Sequence, residues 1–183
     1  MIKIEDFIQV KAFARQDGAF LALLWTLSFA AMMFMPESTI GNLLALATPF
    51  FVGWRLCSFR NYALDGAISL RRGYCFSVYT FVYASIIFAV VQFLYFKFLD
   101  HGTFMQMIDS SLAAITAIYR QAGVSTAELT ATADSMRTLT PINWAFIFMM
   151  QNVCIGAMLS LPIAAVMARR MPRSGGAHGG RQA

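Results

Sequence analysis

Four long stretches without a charged residue limit what this sequence can fold into more than any other feature. They cover residues 18–35, 39–54, 73–96 and 142–168. A helix needs about 20 mostly apolar residues to cross the hydrocarbon of a bilayer, and the second stretch reaches that length only if its helix includes flanking residues. Hydrophobic residues make up 58% of the chain and charged residues 13%, which is more apolar surface than a soluble domain can bury. We therefore predict an all-α polytopic membrane protein with four transmembrane helices.

The stretches divide the 183-residue chain into three parts. Residues 1–17 are a mildly amphipathic segment that either lies at the membrane interface or extends the first span. Residues 18–170 form the transmembrane domain. Residues 171–183 are rich in glycine and lack apolar content, so we predict a disordered tail. A cleaved signal peptide is the alternative for the first stretch, but its apolar part exceeds the ~7–15 residues of such leaders, and we expect it to be retained.

The distribution of lysine and arginine predicts the orientation. Eleven of the 14 basic residues lie in the N-terminal segment, in the connector 55–72 or between Arg169 and the C-terminus, and the other three are Lys97, Arg120 and Arg137. Basic loops stay on the cytoplasmic side. We expect cytoplasmic N- and C-termini, an external loop over residues 100–140 and insertion in the cell inner (plasma) membrane. The net charge of +5 is then a topology signal, and we expect no nucleic-acid partner.

The external loop carries the pattern of two helices. Apolar residues recur at three- and four-residue steps over 103–121, and Gly123 follows as a stop signal. Ser125 and Glu128 then have the spacing of a capping box, which predicts a second short helix to about Leu139. The sequence therefore predicts an external helical hairpin, residues 103–139, between the third and fourth spans. Whether it lies on the membrane surface or on a partner is open.

Small residues at four-residue steps indicate which faces of the spans pack together. Lipid tails are as apolar as leucine, so helices associate in a bilayer through close contact and interhelical hydrogen bonds. Chance repetition in an alanine-rich chain is the alternative to packing. The candidate packing residues are Gly18, Ala22, Thr26, Gly41, Ala45, Gly53, Gly156 and Ser160.

Three amides are the polar side chains deepest in the third and fourth stretches: Gln92, Gln151 and Asn152. An unpaired amide is costly in hydrocarbon, so we expect each to meet another amide, a water or a partner. Pro49 and Pro162 should kink their helices. No Asp, Glu, His, Lys or Arg lies within the four stretches, which disfavours a proton-coupled pump or a carrier of charged solutes.

Four arginines lie in the connector between the second and third spans: Arg55, Arg60, Arg71 and Arg72. Clusters of this kind attract the anionic headgroups of the cytoplasmic leaflet. They can also bind an acidic partner. We regard them as candidate contacts to lipid headgroups or to a partner protein.

No pattern of catalytic, metal-binding or cofactor-binding residues stands out, so we expect no cofactor and no metal. Asp100 and His101 are adjacent and could in principle act as an acid–base pair, but a hydrated loop pair is the simpler interpretation. The cysteines, Cys57, Cys75 and Cys154, form no Cys-x-x-Cys motif and none lies in the external loop. We therefore expect no disulfide.

Several short motifs in a fixed order resemble one family. They are Phe59-Arg60-Asn61-Tyr62, Gly66-Ala67-Ile68-Ser69-Leu70 with Gly73-Tyr74, Tyr95-Phe96-Lys97-Phe98-Leu99-Asp100, and Thr140-Pro141 at the start of the fourth span. Over about residues 18–170 the chain resembles the bacterial membrane proteins of domain-of-unknown-function family 4199. The resemblance implies four spans and an inner-membrane location. It brings no established activity and no catalytic residues, and the arginine-rich connector and glycine-rich tail depart from its pattern.

Three functions stay open at the level of sequence. The first is a non-enzymatic scaffold or accessory subunit that contacts a membrane-protein partner, or a second copy, through the external hairpin or the arginines. The second is a small transporter or channel component, which a water-lined cavity reaching both amide-bearing helices would favour. The third is a lipid-modifying enzyme, which convergence of Asp100, His101 and Asp109 would favour.

Overall fold

Almost all of the chain that the structure describes is helical. The computed structural model describes residues 4–123 and 125–168, and these contain no β-strand. The helices are α1 Ile4–Phe34, α2 Ile40–Leu46, α3 Thr48–Ala63, α4 Leu70–Leu94, α5 Thr103–Gln121, α6 Ala127–Arg137 and α7 Pro141–Met167. A π-helical turn, Tyr95–Leu99, continues α4. The predicted all-α class is confirmed.

Four helical segments are long and apolar enough to cross a membrane: Ile8–Phe34, Ile40–Ala63, Leu70–Leu99 and Pro141–Met167. This confirms the four predicted spans and indicates a multi-pass membrane protein. The first two extend further than their uncharged stretches and include charged residues such as Asp17 and Arg60. The N-terminal segment, from Ile4 onwards, thus forms the first part of α1. The predicted disordered tail, 171–183, lies outside the described residues.

The first two spans form a tight antiparallel hairpin, as the short linker predicts. Ser28 Oγ donates a hydrogen bond to the Gly41 carbonyl at 2.8 Å. Further along, Trp25 Nε1 donates to Thr48 Oγ1 at 3.0 Å. Both bonds join α1 to the second span, so polar side chains help to fix the register of the pair.

A break at Ala47 divides the second span into α2 and α3. Pro49 lies in the first turn of α3 and has no backbone N–H to donate to the preceding turn. The Ala47 N–H still bonds to the Leu43 carbonyl at 3.0 Å, and α3 begins directly afterwards. Pro162, by contrast, lies inside α7, which continues past it.

A turn and a helix cap form the connection from α3 to α4. Asp65 and Gly66 have positive φ angles of 50° and 80°, and the Gly66 N–H bonds to the Arg60 carbonyl at 3.0 Å. Ser69 Oγ then accepts a hydrogen bond from the Arg72 backbone N–H, which caps α4.

α4 is the centre of the bundle and packs against both α1 and α7. Six of the eight candidate packing residues are buried, whereas Thr26 is half-buried and Ala45 is exposed. α1 approaches α4 closely at Gly18, where an added Cβ would lie 2.7 Å from Tyr83 Cβ. At Gly156 an added Cβ would overlap the Phe81 ring. Glycine thus permits the close contact of both neighbours with α4.

Candidate functional site

A buried ion pair joins α1 to α3 near one end of the bundle, which we call the basic end because it carries the four connector arginines. Asp17 is 2% exposed, and Arg55 Nε donates to Asp17 Oδ1 at 2.7 Å. The Arg55 guanidinium also lies over the rings of Phe20 and Trp54. Asp17 was expected just outside the first span. Its position opposite Arg55 in a tight hairpin is the signal that could have identified the pair.

Arg60 is buried at the basic end, with 6% of its surface exposed. Its Nη1 donates to the Met167 carbonyl at 3.0 Å and its Nη2 to Cys57 Sγ at 3.1 Å. The last carbonyls of a helix carry partial negative charge and have no partner within the helix. Arg60 therefore caps α7 from α3.

The other two connector arginines differ in their surroundings. Arg72 Nη2 donates to Gln9 Oε1 at 2.8 Å, and its guanidinium lies over the Phe59 ring. Arg71 is exposed. Arg55, Arg60 and Arg72 are thus engaged within the chain, and Arg71 is the one whose side chain is most open to a headgroup or a partner.

A cavity of about 450 Å³ lies between α1, the junction of α2 and α3, α4 and α7. Its walls are mainly aromatic and aliphatic, and they include Trp25 and Phe88. Ala45, one of the predicted packing residues, lines it from α2 and is exposed. The cavity can hold an apolar group of moderate size.

Two of the three candidate amides line this cavity. Gln151 is exposed, Asn152 is half-buried, and neither side chain makes a hydrogen bond with residues 4–123 or 125–168. Gln92 lies elsewhere in the interior, 3% exposed, and its Oε1 has no donor among the described residues. The structure therefore brings Gln151 and Asn152 together on one helix and keeps Gln92 apart from them.

Outside the spans, α5 and α6 form what we call the α5–α6 segment, residues 103–137. Arg137 Nη2 donates to Asp109 Oδ1 at 2.8 Å, which links the two helices, and Arg137 Nη1 bonds to Asp134 at 3.1 Å. The hydrogen bond that Arg137 donates to Asp109 raises the pKa of the Arg137 guanidinium above its ordinary value. The capping box predicted for α6 involves Glu128, whose side chain lies outside the described residues. Ser125 Oγ does accept the Ala127 N–H at 3.4 Å.

An apolar groove of about 370 Å³ runs between α5, α6 and the start of α7. Phe104 anchors α5 to the bundle through its ring contact with Trp144, at 5.0 Å between centroids. No other residue of α5 is buried, and the helix is described over its whole length. The groove is therefore held at one end and open along the rest of α5.

The side chains that an acid–base site would need are not brought together. Asp100 Oδ1 accepts the Phe104 backbone N–H at 3.0 Å, which caps α5. Asp109 is engaged by Arg137 instead, and His101 is exposed. Within the described residues, no three His, Cys, Asp or Glu side chains are grouped as metal ligands would be. All three cysteines are free, with Cys154 exposed on α7.

Comparison with known proteins gives one match. No curated protein and no solved structure matches the chain. The model of the family described as "Protein of unknown function (DUF4199)" matches residues 16–169, a range that includes nearly all of the four candidate spans. The chain therefore belongs to this DUF4199 family.

Proposed function

We propose that this protein is a non-enzymatic accessory subunit or scaffold of a membrane complex, and that its α5–α6 segment binds the partner. The observation that carries the proposal is the open apolar groove along α5, in a helix that buries one residue of its own chain. An amphipathic helix normally covers its apolar face. The matching occupant is an apolar helix or loop of another membrane protein.

The exposed side chains of α5 support this proposal. Ile115, Ile118 and Tyr119 are 41%, 63% and 40% exposed. They lie together near the end of α5 that is farthest from its anchor at Phe104. Apolar residues clustered with a tyrosine are typical of the central part of protein interfaces.

The groove is also held in a fixed shape. The Phe104 ring packs against Phe96 as well as Trp144, and the bond from Arg137 to Asp109 ties α6 to α5. A preformed surface loses less conformational entropy on binding than a mobile one. This favours recognition of a partner over loose association with lipid.

For the location we propose the cell inner membrane, with the basic end and both termini cytoplasmic and the α5–α6 segment external. The support is the concentration of connector arginines at the basic end, in keeping with the positive-inside rule.

Electrophoresis of mildly solubilised native membranes under non-denaturing conditions tests the accessory role. We expect the wild-type chain to migrate in an assembly larger than two copies. Ile115→Glu, which places a charge in the groove, should release the chain from that assembly. Ala117→Glu adds the same charge at an exposed position on the other side of α5 and should leave the assembly intact. Wild-type migration as one or two copies alone would contradict the proposal.

A small transport component is the second candidate, because the cavity between the spans is lined by Gln151 and Asn152. Its aromatic walls and its separation from Gln92 are less favourable to a water-filled path. Proteoliposomes under a gradient of a small neutral solute test it by light scattering. Ala45→Leu narrows the cavity, and Ala19→Leu, at an exposed position of α1, is the control. Solute permeability that falls with the first change alone would favour transport.

A further inference from the structure

We propose that two copies of this chain associate in the bilayer through the outward face of α7, with the two Gln151 carboxamides hydrogen-bonded to each other. The dimer uses a different surface from the α5–α6 segment. It rests on the proposed function only in the assumption that the chain acts by association. The observation behind it is an exposed amide within a span that makes no hydrogen bond with the described part of the chain.

Gln151 belongs to a stripe of exposed residues that recur at alternating steps of four and three. The stripe consists of Ile147, Gln151, Cys154, Met158 and Leu161. A repeat of this kind, averaging 3.5 residues, keeps one seam of a helix facing a partner helix in a left-handed pair. Left-handed pairs of this geometry are the common packing mode in membranes.

The stripe points away from α4, and its residue Gln151 also lines the cavity between the spans. Gly156, Ser160 and Ala164 are buried and lie on the opposite side of α7, where the helix packs against α4. Ala164 Cβ, for example, lies 3.5 Å from the Cβ that Gly73 of α4 would carry. The exposed side chains of this stripe are therefore open to lipid or to another protein.

Gln151 lies deep in the span. It is ten residues beyond Pro141, the first residue of α7, and so about 15 Å along the helix axis at 1.5 Å per residue. The hydrocarbon of a bilayer is about 30 Å thick. The carboxamide is thus near the middle of the membrane, where lipid tails offer neither a donor nor an acceptor.

A second copy is the occupant that this chemistry fits best. A carboxamide carries a donor and an acceptor, so two of them can bond reciprocally across a twofold axis. Two copies with the same orientation place Gln151 at the same depth. Asn152 lines the same cavity as Gln151 but is half-buried, so Gln151 is the polar side chain that is exposed on the stripe.

Cys154 provides a direct readout, because it lies one turn from Gln151 on the same stripe. In a Cys57→Ser, Cys75→Ser chain, Cys154 is the one remaining cysteine. Oxidation of native membranes with copper phenanthroline should give a disulfide-linked dimer. As the control, Phe146→Cys with Cys154→Ala places a thiol at a 57% exposed position off the stripe. It should not cross-link.

Substitution of the amide measures its contribution. Gln151→Leu should lower the dimer association constant in detergent by roughly three- to tenfold, the effect of one or two interhelical hydrogen bonds in a membrane protein. Gln151→Asn keeps a carboxamide and should retain most of the association. Because the Gln151 side chain makes no hydrogen bond within the described chain, both variants should keep the wild-type thermal unfolding at a detergent dilution where the chain is monomeric.

The outcomes separate this inference from the accessory role. Cross-linking of Cys154 no greater than that of the Phe146→Cys control, or unchanged association of Gln151→Leu, would overturn the homodimer. A Gln151-dependent complex with a different protein or with a ligand would overturn it as well. A Cys154 dimer without any larger assembly would support the homodimer and count against the accessory subunit. A larger assembly that is lost in Ile115→Glu, with no Cys154 dimer, would support the accessory subunit and overturn the homodimer.

Discussion

Arg55 of α3 donates from Nε to Oδ1 of Asp17 in α1 at 2.7 Å, and the carboxylate is almost fully buried. Arg55 keeps 24% of its side chain exposed, so the two partners are unequal. The guanidinium can reach the membrane interface, whereas the carboxylate has no other route to water. Loss of the partner should therefore be more costly for Asp17 than for Arg55.

This inequality predicts unequal effects of removing either partner. Arg55→Leu leaves a buried carboxylate without its counter-charge and should lower the free energy of unfolding by roughly 3 kcal/mol. Asp17→Leu leaves a guanidinium that can move towards water and should cost clearly less. Unfolding by titration with sodium dodecyl sulfate, followed by tryptophan fluorescence, measures both. The double variant Asp17→Leu, Arg55→Leu should be more stable than Arg55→Leu, and equal stability of the two single variants would contradict this account.

The hairpin of α1 with the second span could largely be predicted from the sequence. The linker between the two uncharged stretches is so short that residues at equal distances from it must lie side by side. Trp25 and Thr48, and also Asp17 and Arg55, come close to this condition. The ion pair was missed because Asp17 was assigned to a segment outside the first span, although the apolar helix continues through it.

Other parts of the site depend on contacts between residues far apart in the chain. Arg60 reaches the Met167 carbonyl, 107 residues away, because α3 and α7 end at the same side of the bundle. From the distribution of basic residues alone, Arg60 was a candidate contact to lipid headgroups or a partner protein. That distribution is the same whether the arginine faces outward or inward. The positions of the amides could not be fully predicted from the sequence either. Spacing places Gln151 and Asn152 in one span but does not indicate that Gln92 lies apart from their cavity.

The close contact of α1 with α4 predicts that Gly18 cannot be enlarged without cost. In Gly18→Ala the new methyl group would lie 2.7 Å from Tyr83 Cβ and 3.0 Å from the Thr80 carbonyl oxygen, so the helices must separate. We expect the free energy of unfolding to fall by about 1–3 kcal/mol. Gly53→Ala is the matched control, since its nearest contact, to the end of the Met167 side chain, is 3.4 Å. Equal unfolding transitions for the two variants would argue against this packing.

The cap that Arg60 provides predicts a local effect of its removal. Arg60→Leu leaves the Met167 carbonyl without its donor, so the last turn of α7 should open more often. Hydrogen–deuterium exchange should become faster in that turn and stay unchanged in the first turns of α7. Arg71→Leu, which removes a neighbouring exposed charge, should leave the exchange of α7 as it is. Faster exchange throughout α7 would indicate a global loss of stability instead.

Orientation in the membrane can be tested with two single-cysteine variants in a chain whose natural cysteines are replaced. Ser110→Cys puts a thiol at an exposed position of α5, and Arg71→Cys puts one at the basic end. Because basic residues are retained on the cytoplasmic side, a membrane-impermeant maleimide should label Ser110→Cys in right-side-out vesicles. Arg71→Cys should react only after the vesicles are opened with detergent, which also controls for the reactivity of each thiol. Labelling in the opposite order would place the α5–α6 segment inside the cell, and the binding of an external partner there would no longer be tenable.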